Sequence, residues 1–163
     1  MFRNDGQFSV SSRPYGGMAV FSRVEFIPGY PCCHNISGNE ITIMKLMILP
    51  HVTIIGIYRS PKVPVQQLCH ALNEVLNLST SQFNIFMGDF NINWLDEGNR
   101  RPLYNLFVID NNYRQLVSSY TTDNQTTIDH IYTNLPELQA NLHILETYFS
   151  DHKAICALIN CFH

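Results

Sequence analysis

No stretch of this sequence is long and apolar enough to cross a bilayer, which takes about 20 such residues. The opening, Met-Phe-Arg-Asn-Asp-Gly-Gln, lacks the charged-then-apolar pattern of a secretion signal. Nor is there a basic field. Ten Lys and Arg stand against 13 Asp and Glu, a net charge of −3, which counts against a diffuse positive surface for gripping nucleic acid. The five cysteines, Cys32, Cys33, Cys69, Cys156 and Cys161, include no CxxC pair and none spaced with His as a zinc knuckle requires. They read as core or incidental thiols of a reducing compartment. Internal repeats and low-complexity runs are missing too. These absences point to a soluble intracellular protein, nuclear or cytoplasmic and not secreted, with no membrane association and no obligate protein partner in view.

What is present suits one folded domain. At 163 residues, with 12% aromatics and 14% charged residues, the chain can bury a real core and does not have the composition of a disordered one. Residues 1–17, polar and rich in Gly and Ser, read as a loose lead-in to a domain over 18–160. Residues 18–24 read as a strand, and 28–39, with two Pro and two Gly, as a turn-rich connection. Strands over 41–49 and 52–58 flank Pro50-His51 as an antiparallel hairpin. From Pro64 the period changes. Val65, Leu68, Cys69, Leu72, Val75 and Leu76 mark one face of an amphipathic helix. A buried strand over 83–87 follows, then a loop through Asp96 and Asn99 and a second helix over 102–109. Strands over 115–120, 127–133, 142–149 and 153–159 complete the pattern, which is that of α/β sheets with helical cover.

Four polar clusters fall where a strand ends: Tyr58-Arg59, Asp89-Phe-Asn91, Asp129-His130 and Ser150-Asp151-His152. Asp89 and Asn91, two apart on an extended chain, face the same way off the strand end. Singly, each cluster has a plain explanation as an Asx turn or a strand cap. Together they supply carboxylates, a carboxamide, an imidazole, a phenol and a guanidinium, the inventory for metal-assisted hydrolysis of a phosphoester. Asp89, Asn91, Asp129, Asp151 and His152 are expected on one rim, with Asp129 in hydrogen-bond reach of His152.

The order Ile57-Tyr-Arg-Ser-Pro61, Met87-Gly-Asp-Phe-Asn91, Ile128-Asp-His-Ile-Tyr132 and Ser150-Asp-His152 resembles the endonuclease/exonuclease/phosphatase superfamily. The wording is most similar to that of endonuclease domains of non-LTR retrotransposons. The resemblance implies a DNase I-like four-layer α/β sandwich of two mixed sheets with outer helices, and metal-dependent cleavage of DNA phosphodiesters. It implies that Asp89 orients or deprotonates water, that Asn91 and His152 hold the scissile phosphate, and that Asp129 fixes the tautomer of His152. Tyr58 would brace the phosphate, Asp151 would bind the metal, and Arg59 and Thr121 would meet the nucleic acid.

One departure from the family pattern carries weight. The family's first Asn strand and the strand with its principal metal-binding Glu precede the strand matched by 18–24, and residues 1–17 contain neither motif. Glu25 and Glu40 lie downstream, in another context. The chain therefore reads as the carboxyl-terminal two thirds of such a domain. Mg²⁺, or Mn²⁺, is expected to bind weakly, because a hard cation needs carboxylates in near-octahedral array. Alternative readings are a catalytically inactive remnant or interaction module, and a phosphatase of the same superfamily.

Overall fold

The computed structural model describes residues 2–4, 18–47, 52–136 and 140–160. A six-stranded mixed sheet forms its centre, in the order β3-β4-β5-β6-β8-β7. Its strands are β3 (Cys32–Ile36), β4 (Asn39–Lys45), β5 (Val52–Arg59), β6 (Phe83–Asp89), β7 (Arg114–Gln115) and β8 (Asp129–Thr133). The hairpin read from the sequence is there: β4 and β5 pair antiparallel, with Ile41 opposite Ile57 and Glu40 opposite Tyr58. Its turn, residues 48–51, lies outside the described residues. Among the described residues the single parallel pairing joins β5 to β6, and parallel neighbours need a crossover. That crossover is helix α1 (Val65–Leu78), which starts directly after Pro64.

α1 buries Leu68, Ala71, Leu72 and Val75, the i, i+3, i+4, i+7 stripe of an amphipathic helix. They pack on Ile41, Ile55, Ile57 and Phe86 of the sheet, and each fully buried Leu contributes about 2 kcal/mol. The second helix begins earlier than the expected 102–109. Asp96 accepts from the backbone N–H groups of Gly98 and Asn99 at 3.0 and 3.1 Å, so the stretch read as a loop is the capped start of α2 (Glu97–Leu103). After Pro102, which has no N–H to donate, the chain widens into a π-helical stretch, Tyr104–Asp110. Phe107 of that stretch stacks on Tyr132 at 4.0 Å between centroids and meets Phe86 edge-on at 5.1 Å.

The opposite face of the sheet is covered by a hairpin of β9 (Ala140–Leu145) and β10 (Ala154–Ile159). Its inward side chains, Leu142, Ile144, Ile155, Ala157 and Ile159, pack with Val52, Ile85, Val117 and Ile131. Alternate residues face away, as a half-buried sheet requires. A short ladder of β1 (Phe2–Asn4) and β2 (Met18–Val20) is separate in its pairing, and Met18 lies against Gly56 of β5. A mostly apolar cleft of about 480 Å³ runs from there past Ile54 to Tyr58, Gly88 and Asp89. Among the described residues, layers of helix, sheet and sheet follow one another.

Several boundaries differ from the sequence reading. The 28–39 connection contains a strand, β3, paired along β4. The strand expected over 18–24 is three residues long. The one expected over 115–120 shrinks to Arg114–Gln115, because the Gln115 side-chain oxygen accepts from Val117 N at 2.8 Å and Ile131 N at 3.3 Å. The segment 146–153, expected in part as strand, is the β9–β10 connection. Of the expected lead-in 1–17, only 2–4 lie among the described residues.

Candidate active site

Register brings the polar strand ends together. Glu40 pairs with Tyr58, Tyr58 with Asp89 and Asp89 with Asp129. Four adjacent strands thus present these side chains in one row, because directly paired residues share a face of the sheet. Asp89 ends β6, and the chain then turns through Asn91, held at φ 50°. Asn91 is the residue type that tolerates this left-handed region best after glycine. Its backbone N–H donates to Asp89 Oδ1 at 2.8 Å and its Nδ2 to Asp89 Oδ2 at 2.9 Å. The other Nδ2 hydrogen goes to the Arg59 carbonyl at 2.8 Å.

Burial raises the Asp89 carboxyl above its ordinary value and the nearby Asp129 adds to this, while the Asn91 bonds and His152 act the other way. The Tyr58 phenol is raised as well, by burial first and then by the charges of Asp89 and Glu40. Glu40, 7% exposed, is a member of the row that motif reading passed over. Only the hairpin register reveals it, since nothing in its local sequence marks it.

His152 reaches the row from the β9–β10 connection. Its Nδ1 donates to Asp129 Oδ2 at 3.0 Å and lies 3.2 Å from Oδ1. That bond fixes the tautomer of the neutral ring and leaves Nε2 for another partner. Burial works to lower the imidazole pKa. The charge and hydrogen bond of Asp129, with Asp89 and Asp151 behind them, outweigh it and raise the group above its ordinary value. Asp151 is exposed and adjoins His152. The connection is anchored by Asp123 N to Asp151 O at 2.9 Å and Lys153 N to Thr121 O at 2.8 Å.

Two expected nucleic-acid contacts lie beneath this row. Arg59 is 5% exposed, and its guanidinium is spent on backbone. Nε donates to Phe90 O at 2.7 Å, Nη2 to Asn91 O at 2.7 Å, and Nη1 to Ser60 O at 3.3 Å and to Val63 O. The arginine is a clamp on the Asp89–Asn91 turn in this structure. Thr121 is fully buried, and its hydroxyl accepts from Ile128 N at 3.1 Å and Asp129 N at 3.2 Å. It pins the start of β8 and so the backbone of Asp129.

His130 is also fully buried. Its Nε2 faces two carbonyls, Ile92 O at 2.9 Å and Thr127 O at 3.1 Å. Nε2 therefore carries the proton, and Nδ1 accepts from the Tyr132 hydroxyl at 3.0 Å. Burial pushes this imidazole down to about 4, against the lesser opposing effect of the two carbonyls. Between the ordinary 6.5 and about 4 the unfolded chain binds a proton that the folded chain refuses. The stability contributed by neutral His130 is complete above 6.5 and is lost as pH falls towards 4, about 3 kcal/mol in all. His152 has the opposite sign: its contribution is complete below 6.5 and fades as pH rises through its raised value. Urea denaturation at pH 7 and pH 4.5 is expected to show the acid loss. His130→Gln, which cannot charge, should flatten that slope.

Among the described residues, no three His, Cys, Asp or Glu side chains stand together as a set able to hold a metal ion. The carboxylates of Asp89 and Asp129 are committed to Asn91 and His152. These donors do not make a divalent-cation centre by themselves. What they can do is accept, hold and donate protons and hydrogen bonds around an anion.

A family model described as "Endonuclease/Exonuclease/phosphatase family" matches residues 3–152. Among curated proteins no sequence matches the chain. Among solved structures it is similar to the endonuclease domain of TRAS1, a telomere-specific non-LTR retrotransposon. The TM-score is 0.67 at 16% identity, over 97% of this chain and 77% of that one. It is also similar to the human Nocturnin catalytic domain with bound sulfate, at TM-score 0.51 and 13% identity, over 83% of this chain and 59% of that one. Both likenesses are of fold. The mixed sheet with a second, smaller sheet against one face is DNase I-like.

Proposed function

Because the chain belongs to the endonuclease/exonuclease/phosphatase family, we propose that its row of strand-end side chains serves phosphodiester hydrolysis, as an endonuclease acting on DNA and derived from a retrotransposon. The observation that supports this most is the Asp129–His152 pair, closed at 3.0 Å beside Asp89. A carboxylate that fixes an imidazole, next to a second carboxylate of raised pKa, makes a proton donor beside a proton acceptor. Asp89 takes the proton of the attacking water. His152, positioned by Asp129, donates through Nε2 to the leaving oxygen of the phosphate as its P–O bond breaks and water's oxygen bonds to phosphorus, and Tyr58 braces the same phosphate. Asn91, bound to Asp89, keeps that carboxylate oriented and faces the phosphate. Family members generally use a divalent metal. Asp151 is the exposed carboxylate beside the row, and Mg²⁺ or Mn²⁺ is expected to bind this chain weakly.

Nicking of supercoiled plasmid by the purified chain tests the reading. The rate is expected to follow a bell in pH. Its acid limb lies above 3.8, where Asp89 protonates, and its alkaline limb above 6.5, where His152 loses its charge. Asp129→Asn, which offers an N–H where the ring needs an acceptor, should lower the rate about 10²-fold. A rate indifferent to Asp89→Asn and Asp129→Asn would sink the proposal. A second reading is favoured by one feature: both Asp89 oxygens and both Asn91 Nδ2 hydrogens already have partners inside the protein. On that reading the domain binds nucleic acid without cutting it, and the same assay would show plasmid retarded but intact.

A further inference from the structure

Three exposed aromatic side chains that the catalytic reading does not use lie within four residues of His152 or within two of Thr122, its bridge partner. Tyr148 is 98% exposed, Phe149 92% and Tyr120 46%. Tyr148 and Phe149 ride on the β9–β10 connection that also carries Asp151 and His152. Tyr120 precedes the segment zipped to it, where Thr122 bridges His152 and Lys153 N donates to Thr121 O. The connection is tied on both sides of the two rings. Thr147 Oγ1 donates to the carbonyls of Ser150 and His152, and Ser150 Oγ accepts from His152 N at 3.0 Å. Phe149 therefore forgoes the burial such a ring ordinarily gains while sitting on an anchored segment.

Size and place decide what covers these rings. An aromatic side chain offers about 150–250 Å², so Tyr148 and Phe149 together fall short of the roughly 800 Å² that each partner gives to a stable protein interface. The residues next to them, Ser150 and Asp151, are exposed and polar. A nucleobase needs one ring face. Three or four residues span at most about 10–14 Å, or some three to four nucleotide steps at about 3.4 Å along a strand. Any strand whose phosphate meets His152 thus brings its neighbouring bases within reach. The net charge of −3 adds a reason. Without a basic field, a grip on nucleic acid has to come largely from contacts other than ion pairs.

We propose that Tyr148 and Phe149, with Tyr120 across the zipped segment, form a stacking face for unpaired bases near the phosphate held at His152, so that the substrate is single-stranded or locally opened nucleic acid. This rests on the phosphodiester reading of the site and narrows its substrate class.

Fluorescence anisotropy of the full chain with a short labelled single strand, and with its duplex, in EDTA so that nothing is cut, tests the face directly. Single strand should bind more tightly than duplex, with a shallow salt dependence. Tyr148→Ala and Phe149→Leu should each weaken binding about 10-fold or more, whereas Tyr148→Phe should bind like the wild type. The leucine keeps apolar bulk and loses the π-face, so its equality with phenylalanine would overturn the proposal. Tighter duplex binding, or a dimer in sedimentation that the alanine variant dissolves, would do the same, the latter making this a protein contact. Because binding is read without cleavage, a chain that stacks single strands but never nicks leaves this face standing and removes the hydrolase. Nicking unaffected by the aromatic variants does the reverse.

Discussion

Gly88→Ala is expected to cost most of the stability of the domain. Gly88 sits one residue before Asp89 at φ 141°, a conformation that side chains rarely adopt. A Cβ there would stand 2.0 Å from the Ile57 carbonyl oxygen, 2.9 Å from its carbonyl carbon and 3.0 Å from its nitrogen. These are main-chain atoms of the neighbouring strand, and Ile57 and Gly88 are register partners in the parallel pairing of β5 and β6. No rotamer relieves the contact. The two strands must part where Tyr58 and Asp89 are set side by side. Steric clash with backbone, added to the φ penalty, puts the loss above about 4–5 kcal/mol, against about 5–15 kcal/mol for a whole domain. By circular dichroism the melting temperature should fall by about 10–20 °C at this chain length, or the variant should not fold. Gly98→Ala is the matched control. Gly98 lies in α2, and its Cβ would meet only Asp96 Oδ1 at 3.4 Å, so the better helix former should be neutral or add up to about 1 kcal/mol. Equal melting of the two variants would mean that β5 and β6 are not paired in this register.

That close approach shows what the sequence could and could not reveal. Tyr58 and Asp89 were legible because each closes an apolar strand, and so was the α1 face, because Leu68, Leu72 and Val75 keep helical spacing. Asp129, which opens β8 rather than ending a strand, and His152, in the connection before β10, were legible only through the order of the motifs. The Gly88 requirement was not, since a glycine before a polar turn looks like punctuation until the neighbouring strand is placed. Glu40 stayed hidden for the same reason: its place beside Tyr58 comes from pairing between β4 and β5. β3 was obscured by the prolines and glycines around it, and it exists as a ladder because β4 offers it an edge. In α2, the capping bonds of Asp96 outweighed the loop-like composition of the residues that follow it. Local pattern carried the elements and the motif. Register, which joins residues far apart in the chain, carried the site.

Arg59 is where both kinds of information meet, and removing it is expected to have the second large effect. The family resemblance implied that it meets the nucleic acid. Instead its guanidinium donates to four carbonyls, of Phe90, Asn91, Ser60 and Val63, and its own carbonyl takes the Asn91 amide in return. Burial lowers its pKa first of all, and Asp89 opposes this. A guanidinium is the one side chain with enough N–H groups, spread in a plane, to serve carbonyls on two segments at once. Arg59→Met keeps the length and takes this donor from the Phe90, Asn91 and Val63 carbonyls, while the Ser60 carbonyl keeps the Val63 N–H at 2.9 Å. At about 1–3 kcal/mol for each buried orphan, with some reached by water, the loss should be about 3–6 kcal/mol. Arg59→Lys keeps the charge but has a single compact head group, and should lose much of the same amount. The turn it clamps holds Asn91 against Asp89, so a loosened turn should also weaken the field of Asp89 at His152, which now helps to raise that imidazole. Denaturant melts and an NMR titration of His152 in the Lys variant read the two effects separately. The expected pair is a lower unfolding midpoint and a His152 midpoint shifted down, towards its ordinary value. A Lys variant as stable as the wild type, with His152 unmoved, would show that the arginine does not hold the turn.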